Sequence, residues 1–445
     1  MLMDEPTLHD VLSGRRRGIG PALLRSALGC AAIAYGAAVV CRNAAFDLGM
    51  LRVRRLPVPV VSLGNVTTGG TGKTPVVAWL IRELRRQGYT PGLLSRGYRR
   101  LRAGDNDEAR VLARQCPGVP HVQHPDRFRG GRRLLAENPP GSVKTSPGTV
   151  NVLVLDDGFQ HRRLFRDVDL VLIDALRPWG YGRLLPRGLL REPLSALRRA
   201  DLVILTRANL VPGERLDDLR RTIRAIRGGE PDGELAFVPT RLVNPRGEVW
   251  PLERLRDGES LGETPASFCG IGNPDGFTAA LRAMGVDGPC REFPDHHHYT
   301  PADLQELEAW RRARRAPFLI TTLKDLVKIP TDSEHIWALE TDVAWLRGRE
   351  GVLRSLRSAL GAAPGVDVHA TDGTVLSADG TVHSADGTTT HFEAGAATGL
   401  AAGGTTADDE RGRTDERPRT DECGRADERG RTDERGTTDK LASAA

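Results

Sequence analysis

Lys73 and Thr74 close a glycine-rich run, Gly64-Asn65-Val66-Thr67-Thr68-Gly69-Gly70-Thr71-Gly72-Lys73-Thr74-Pro75, that follows an apolar β-type segment and opens a helical one. A strand, a glycine turn and a helix N-terminus make a cradle for phosphate. Backbone N–H groups point inward, the helix dipole favours anions, the lysine meets the terminal phosphates and the hydroxyl meets Mg²⁺. Asn65, Thr68, Gly69, Gly70, Thr71, Gly72, Lys73, Thr74 and Pro75 are therefore candidate contacts for ATP. The strict P-loop pattern asks for glycine five positions before Gly72, where Thr67 stands. A second constellation, Val152-Leu153-Val154-Leu155-Asp156-Asp157, is an apolar strand ending in two carboxylates. In P-loop enzymes an acidic residue at that point helps hold the Mg²⁺ that bridges the phosphates, so Thr74, Asp156 and Asp157 form the candidate metal set. The strand runs on into Gly158-Phe159-Gln160-His161-Arg162, a polar cluster unusually rich for a turn.

Asp295-His296-His297-His298-Tyr299 has the residue types of a metal site. Consecutive histidines cannot all point one way on a strand or a helix, so three-fold ligation there is geometrically poor.

The elements that would position these groups alternate short apolar runs with amphipathic stretches, which predicts an α/β fold, a parallel P-loop sheet with flanking helices. Candidate strands are Val58–Leu63, Gly92–Ser95, Val152–Leu155, Leu170–Ile173 and Leu202–Thr206, with a helix over Val76–Arg86. Asn65, Ser95, Asp156, Asp157, Asp174 and Thr206 fall at strand carboxyl ends, where ligand-binding residues gather in open α/β sheets. Leu235–Val243 and Glu248–Leu252 read as two strands about the turn Asn244-Pro245-Arg246-Gly247, a two-stranded linker. A second, smaller α/β unit follows, with strands Ala266–Cys269, Phe318–Thr322 and His335–Leu339 and helices Gly276–Met284 and Pro301–Arg315. The expected organisation is an N-terminal helix region (1–53), the P-loop domain (54–234), the linker (235–257), the second unit (258–364) and a tail (365–445). The tail repeats Ser-Ala-Asp-Gly-Thr at Ser377–Thr381 and Ser384–Thr388, and then an Arg-Thr-Asp-Glu-Arg-Gly type period. Such text buries too little apolar surface to offset ordering entropy and is expected to be disordered.

Pro21 to Cys41 is apolar apart from Arg25 and, as a helix, would reach about 30 Å. A cleaved signal peptide and a buried core helix are its rivals. The flanking Arg15, Arg16, Arg17, Arg52, Arg54 and Arg55 suit anionic headgroups, so the expectation is a helix anchored to or lying in the cytoplasmic face of a membrane. A formal charge of +5 over 445 residues does not indicate a nucleic-acid partner, and no obligate protein partner is evident. Six cysteines without CxxC spacing read as reduced thiols.

GNVTTGGTGKTP, SRGY (Ser95–Tyr98), DDGFQHR (Asp156–Arg162) and the TxKD-type Thr322–Asp325 occur in the order seen in tetraacyldisaccharide 4'-kinase, the lipid A 4'-kinase, and from about residue 15 to 345 the chain resembles that family. The family shares the departure at Thr67. The resemblance implies a membrane-associated enzyme of two α/β/α domains that transfers the γ-phosphate of ATP to the 4'-hydroxyl of a tetraacyl glucosamine disaccharide 1-phosphate, with its N-terminal helix on the inner membrane. It implies that Gln160 and His161 border the nucleotide and that Arg127, Arg187, Arg191 and Glu192 border the acceptor. Its catalytic acid pair falls on Gly104-Asp105-Asn106-Asp107-Glu108, with Asp107 and Glu108 as the match and Asp105 as the alternative. It pairs that acid with a histidine matched by His296, next to Asp295. Leu323 departs from the family's glutamate at that point. On the motif alone, a P-loop switch or metallochaperone NTPase remains the alternative, and a membrane scaffold a weaker one.

Overall fold

The computed structural model describes residues 10–97, 107–139, 150–255, 264–272 and 274–361, with three short strands beyond. In chain order the elements are α1 (Ile19–Asp47), β1 (Val60–Asn65), α2 (Lys73–Arg86), β2 (Pro91–Ser95), α3 (Asp107–Gln115), β3 (His121–Gln123), α4 (Arg127–Glu137), β4 (Val152–Asp156), β5 (Val168–Asp174), β6 (Leu202–Thr206), α5 (Gly213–Arg227), β7 (Gly233–Val243) and β8 (Val249–Trp250). They continue with β9 (Ala266–Cys269), α6 (Pro274–Ala283), β10 (Cys290–Glu292), α7 (Pro301–Ala313), β11 (Leu319–Thr322), α8 (Leu323–Leu326), β12 (Ile336–Arg347) and α9 (Arg349–Leu360).

All twelve strands join one sheet, in the order β10-β9-β11-β12-β7-β6-β5-β1-β4-β2-β3, with β8 on β7. From β3 to β7 every pairing is parallel. Both faces of these central strands are buried, so their sequences are apolar runs rather than alternations. Successive residues nevertheless serve opposite faces. Leu170, Leu172 and Ile204 pack beneath α2 with Val76, Leu80 and Leu84, and α9 adds Val352 and Leu356. Val171, Ile173, Val203 and Leu205 face the other way, onto Leu197, Leu219 and Ile223.

The hairpin about Asn244–Gly247 exists, but β8 pairs with β7 only at Leu242↔Trp250 and Val243↔Val249. The long partner of β7 is β12, antiparallel from Ala338↔Val243 to Arg347↔Glu234. β12 outruns its apolar start because its continuation, Glu340 to Arg347, is half-exposed and so carries polar residues. Trp345 in that continuation rests on Trp79 of α2, with ring centroids 4.9 Å apart.

His121–Gln123 forms an edge strand, and α4 starts at Asp126, whose carboxylate accepts from Arg129 N at 3.1 Å, an N-cap in the usual sense. Within 365–445, expected to lack regular structure, Val375–Leu376, Thr381–His383 and Thr389–His391 pair antiparallel. The rest of that tail lies outside the described residues, as do Tyr98, Asp105 and Cys423.

α1 has 29 residues and is long and apolar enough to cross a membrane. Only Ala32, Gly36 and Phe46 of it are buried, whereas Ile19, Leu23, Ile33 and Val40 are exposed. A core helix would bury such side chains.

Candidate active site

β1 ends at Asn65, and α2 begins at Lys73 after the glycine loop. Gly72 holds φ +80°, and a Cβ there would fall 2.1 Å from a Phe237 ring carbon, so both the backbone and the space require glycine. The loop is held from outside. Thr68 N donates to Leu189 O at 2.7 Å and Arg191 N to Val66 O at 2.8 Å. Thr206 Oγ1 donates to Thr71 O at 3.1 Å, Asn65 Nδ2 to Thr71 Oγ1 at 3.1 Å and Arg207 Nη2 to Gly70 O at 3.0 Å. Gly69 and Gly70 stay exposed, and Thr74 and Pro75 are half-buried at the positive end of α2.

Lys73 Nζ lies 3.5 Å from Asn65 Oδ1 and 3.5 Å from Asp157 Oδ1. Asp157, at φ +54°, takes two 2.8 Å hydrogen bonds from Arg191 Nη1, which also donates to Gln160 Oε1 at 3.3 Å. Gln160 in turn donates to Asn65 O at 2.9 Å. Burial raises the Asp157 carboxyl, but Lys73 and Arg191 outweigh it and leave its pKa below the usual value. Asp156 is the opposite case. Burial lifts it to about 7, Lys73 opposes, and Glu108 and Asp157 add to the rise. Its Oδ1 has no partner.

Arg127 is buried at the head of α4, donates from Nη1 to Pro125 O at 2.9 Å and leaves Nε unpartnered. Burial lowers its pKa, Arg96 adds to that, and Asp157 and Asp156 pull the other way. His161 is pushed down to about 4, by burial first and Arg127 second, which keeps the ring neutral at physiological pH.

Opposite this cluster, Asp107 opens α3 and its Oδ2 lies 3.4 Å from His296 Nδ1. His296 adopts φ +60°, with its N–H directed to Gly270 O at 3.1 Å and Asp295 Oδ1 at 3.0 Å. Lys328 Nζ stands 3.9 Å from Asp107 Oδ2 and 3.1 Å from the fully buried Asp325, which also accepts from Gly270 N at 3.1 Å. His297 turns to Asp303 at 3.1 Å and stacks on Phe293, and His298 is exposed. No three-ligand metal group occurs among the described residues. Leu323 packs in the core around Phe268, where the family carboxylate would be unpaired.

Two expected acceptor residues bond the N-terminal region. Arg187 Nη1 donates to Leu12 O at 2.9 Å, on the N-terminal segment. Glu192 is 1% exposed and is closed in by Arg199 Nη2 at 2.8 Å and Asn43 Nδ2 of α1 at 2.9 Å, because a buried carboxylate needs such partners. Tyr35 OH of α1 donates to Arg191 O at 2.8 Å, and Arg42 Nη2 to Gln160 O at 2.7 Å. Glu192 is thus a joint between α1 and the site loop. Sequence reading missed Arg207, Phe237 and Lys328. Arg207 bonds Asp174 at 2.6 Å, and its place after the strand-end Thr206 was the available signal.

A family model described as tetraacyldisaccharide-1-P 4'-kinase matches residues 24–360. The tetraacyldisaccharide 4'-kinase of Anaeromyxobacter sp. (strain K) is 37% identical over 353 residues, 74% of this chain and 89% of the relative. That of Syntrophus aciditrophicus is 38% identical over 324 residues, 66% of this chain and 82% of the relative. A crystal structure of LpxK from Aquifex aeolicus in complex with ATP superposes with a TM-score of 0.59 at 29% identity, covering 76% of this chain and 100% of that one.

Proposed function

This chain belongs to the tetraacyldisaccharide-1-P 4'-kinase family, and from that premise we propose how its cleft performs the transfer. The protein is an ATP-dependent kinase of lipid A biosynthesis that phosphorylates the 4'-hydroxyl of tetraacyldisaccharide 1-phosphate. The observation that carries the mechanism is the meeting of Asp107 and His296, 3.4 Å apart, across from the Lys73–Asp157–Arg191 mesh.

Asn65 and Thr68 to Pro75 wrap the β- and γ-phosphates of ATP, and Lys73 neutralises charge that grows on their oxygens in the transition state. Lys73 now leans on Asp157 and is free to exchange that contact for phosphate. Arg191 keeps Asp157 and Gln160 in place, and neutral His161 serves as a hydrogen-bonding wall. The acceptor hydroxyl approaches Asp107, which takes its proton as the oxygen attacks in line. His296 and Lys328 orient that carboxylate, while Glu108 adds negative charge near Asp156. Arg127 supplies the fixed cation beside the acceptor.

The residues present fit Mg²⁺. Asp156 Oδ1 is buried without a partner and its ionisation is suppressed, a state that a divalent cation would reverse. Asp156, Asp157 and the Thr74 hydroxyl would hold it, with phosphate oxygens and water filling the remaining positions. Bound there, the ion would offset the charge of the phosphates.

Residues 54–234 and 258–364 serve as two lobes about this cleft, and α1 seats the enzyme on the cytoplasmic face of the inner membrane. A four-chain acceptor then need not leave the bilayer to react. Single turnover with labelled ATP, Mg²⁺ and purified disaccharide lipid tests the reading. Label in the lipid is the expected result; label released only as free phosphate would favour the switch NTPase instead.

A further inference from the structure

Asp325 in α8 and Lys328 just beyond it are both withdrawn from solvent: the Lys328 side chain is 4% exposed and Asp325 is fully buried. A lysine is almost never buried without a partner, and an ion pair taken out of water is costly unless its geometry is close. Here it is close. Lys328 Nζ donates to Asp325 Oδ1 at 3.1 Å, and Asp325 Oδ2 accepts from Thr322 Oγ1 at 2.7 Å and from Gly270 N at 3.1 Å. The Tyr299 ring centroid lies 5.7 Å from Nζ. Apolar side chains of the same volume would serve packing as well as these two ions, so the charges need another reason to be there.

Two routes of contact run from this pair to Asp107. One is direct: Lys328 Nζ stands 3.9 Å from Asp107 Oδ2. The other passes through Gly270, whose N–H is held by Asp325 and whose O accepts from His296 N at 3.1 Å. His296 Nδ1 then lies 3.4 Å from the same Asp107 Oδ2. α3, with Asp107 at its head, docks on the same part of the fold. Arg110 Nη1 donates to Val327 O at 3.3 Å, and Val111 is buried with Leu323 and Leu326. The helix that carries the base therefore rests on α8 and the residues just after it.

We infer that Asp325 and Lys328 are positioning residues for the transfer, resting on the reading of Asp107 as its base. They hold Asp107 Oδ2, directly and through His296, and leave Oδ1 to take the proton of the acceptor hydroxyl. Asp325 offers one oxygen to each route, so a single carboxylate sets both partners of the base. An ammonium tied to a buried carboxylate keeps few rotamers, and its charge stays at one point. Without that point the Asp107 carboxylate turns freely about χ2, a soft torsion. Misplacement of a reacting atom by about 1 Å costs on the order of 100-fold in rate.

The test compares full-length wild type, Lys328→Met, Lys328→Met with Asp325→Asn, and Asp107→Asn, using purified disaccharide lipid and saturating Mg·ATP. Lys328→Met should lower kcat at least ~10-fold, with KM for ATP within about twofold of wild type. It strands a buried carboxylate and should also melt lower; the double variant removes both charges and should melt close to wild type. Its kcat should stay low, because a neutral pair packs but does not hold Oδ2. Turnover recovered along with the melting temperature would show a purely structural pair and overturn the proposal. Near-normal kcat in Lys328→Met, or a loss seen only in KM for ATP, would overturn it too. Asparagine at 325 still accepts from Gly270 N, so alanine there, in the Lys328→Met background, should lower kcat further. Equal rates for the two double variants would refute the route through His296. Asp107→Asn separates the pair from the base. If it is inactive while Lys328→Met turns over normally, the pair's role fails and the base stands. If it is active, the base assignment falls and the pair's role with it.

Discussion

Replacing Asp156 by asparagine should stabilise the nucleotide-free protein at mildly alkaline pH while disabling the kinase. The carboxyl ends β4 with Oδ1 unpartnered, and burial lifts its pKa from 3.8 to about 7 against the pull of Lys73. A folded-state pKa above the unfolded one means that the folded protein holds the proton more tightly. The stability this represents is complete below the unfolded value and is lost as the pH rises through about 7. Roughly three units at ~1.4 kcal/mol each put the loss at about 4 kcal/mol by about pH 8. Asparagine keeps the shape of the side chain and has no charge to bury. Thermal unfolding of wild type and Asp156→Asn, without nucleotide or metal, would be followed from about pH 5 to about pH 8. The two should lie closest at the acid end and diverge towards the alkaline end, the variant several degrees higher. Mg·ATP should raise the wild-type transition and not the variant's. Parallel pH slopes for the two proteins would show that this carboxylate is not where the energy is stored.

Gly72→Ala should weaken ATP binding at least ~10-fold, because a Cβ costs about 1–2 kcal/mol at positive φ and here also strikes the Phe237 ring; near-normal affinity by titration calorimetry would refute this. Asp107→Asn should abolish lipid phosphorylation with ATP affinity retained, and Asp105→Asn should cost much less; the reverse order would move the base to Asp105. Deleting residues 1–53 should reduce liposome sedimentation and also slow turnover with a soluble acceptor fragment, since Asn43 and Tyr35 hold Glu192 and Arg191. A truncated enzyme with full activity on that fragment would make α1 an anchor alone.

The parts legible in the sequence were those whose local chemistry needs no distant partner. Strand β6 and strand β9 were placed to the residue, because each is a short apolar run bounded by polar text. The body of α2 was legible as an amphipathic run, expected over Val76–Arg86, although the helix starts earlier, at Lys73. β12 was cut short because its second half is only half-buried, and its partner β7 lies about a hundred residues earlier. Arg187 and Glu192 were assigned to the acceptor by the family resemblance, and no local pattern shows that they also bond Leu12 and Asn43 in the N-terminal region. Phe237 was invisible for the same reason: a strand aromatic becomes a wall of the glycine loop only once β7 lies beside β6.

The contacts of residues 189–192 join α1 and the glycine loop. Leu189 O receives Thr68 N, and Arg191 N reaches Val66 O, so two strand-like bonds hold the glycine loop. Arg191 O receives the Tyr35 hydroxyl, and the Glu192 carboxylate takes the Asn43 amide, so one backbone carbonyl and the next side chain hold α1. The Arg191 side chain meanwhile clamps Asp157. A displacement of α1 by about 1 Å would pull the Asn43 amide from buried Glu192, leaving its charge to Arg199, and would act through the Tyr35 hydroxyl on Arg191 and so on Asp157 and Lys73. Phosphoryl transfer depends on alignment at that scale. On the proposed seating of α1, the membrane contact and the geometry proposed at the γ-phosphate depend on the same four residues, 189–192.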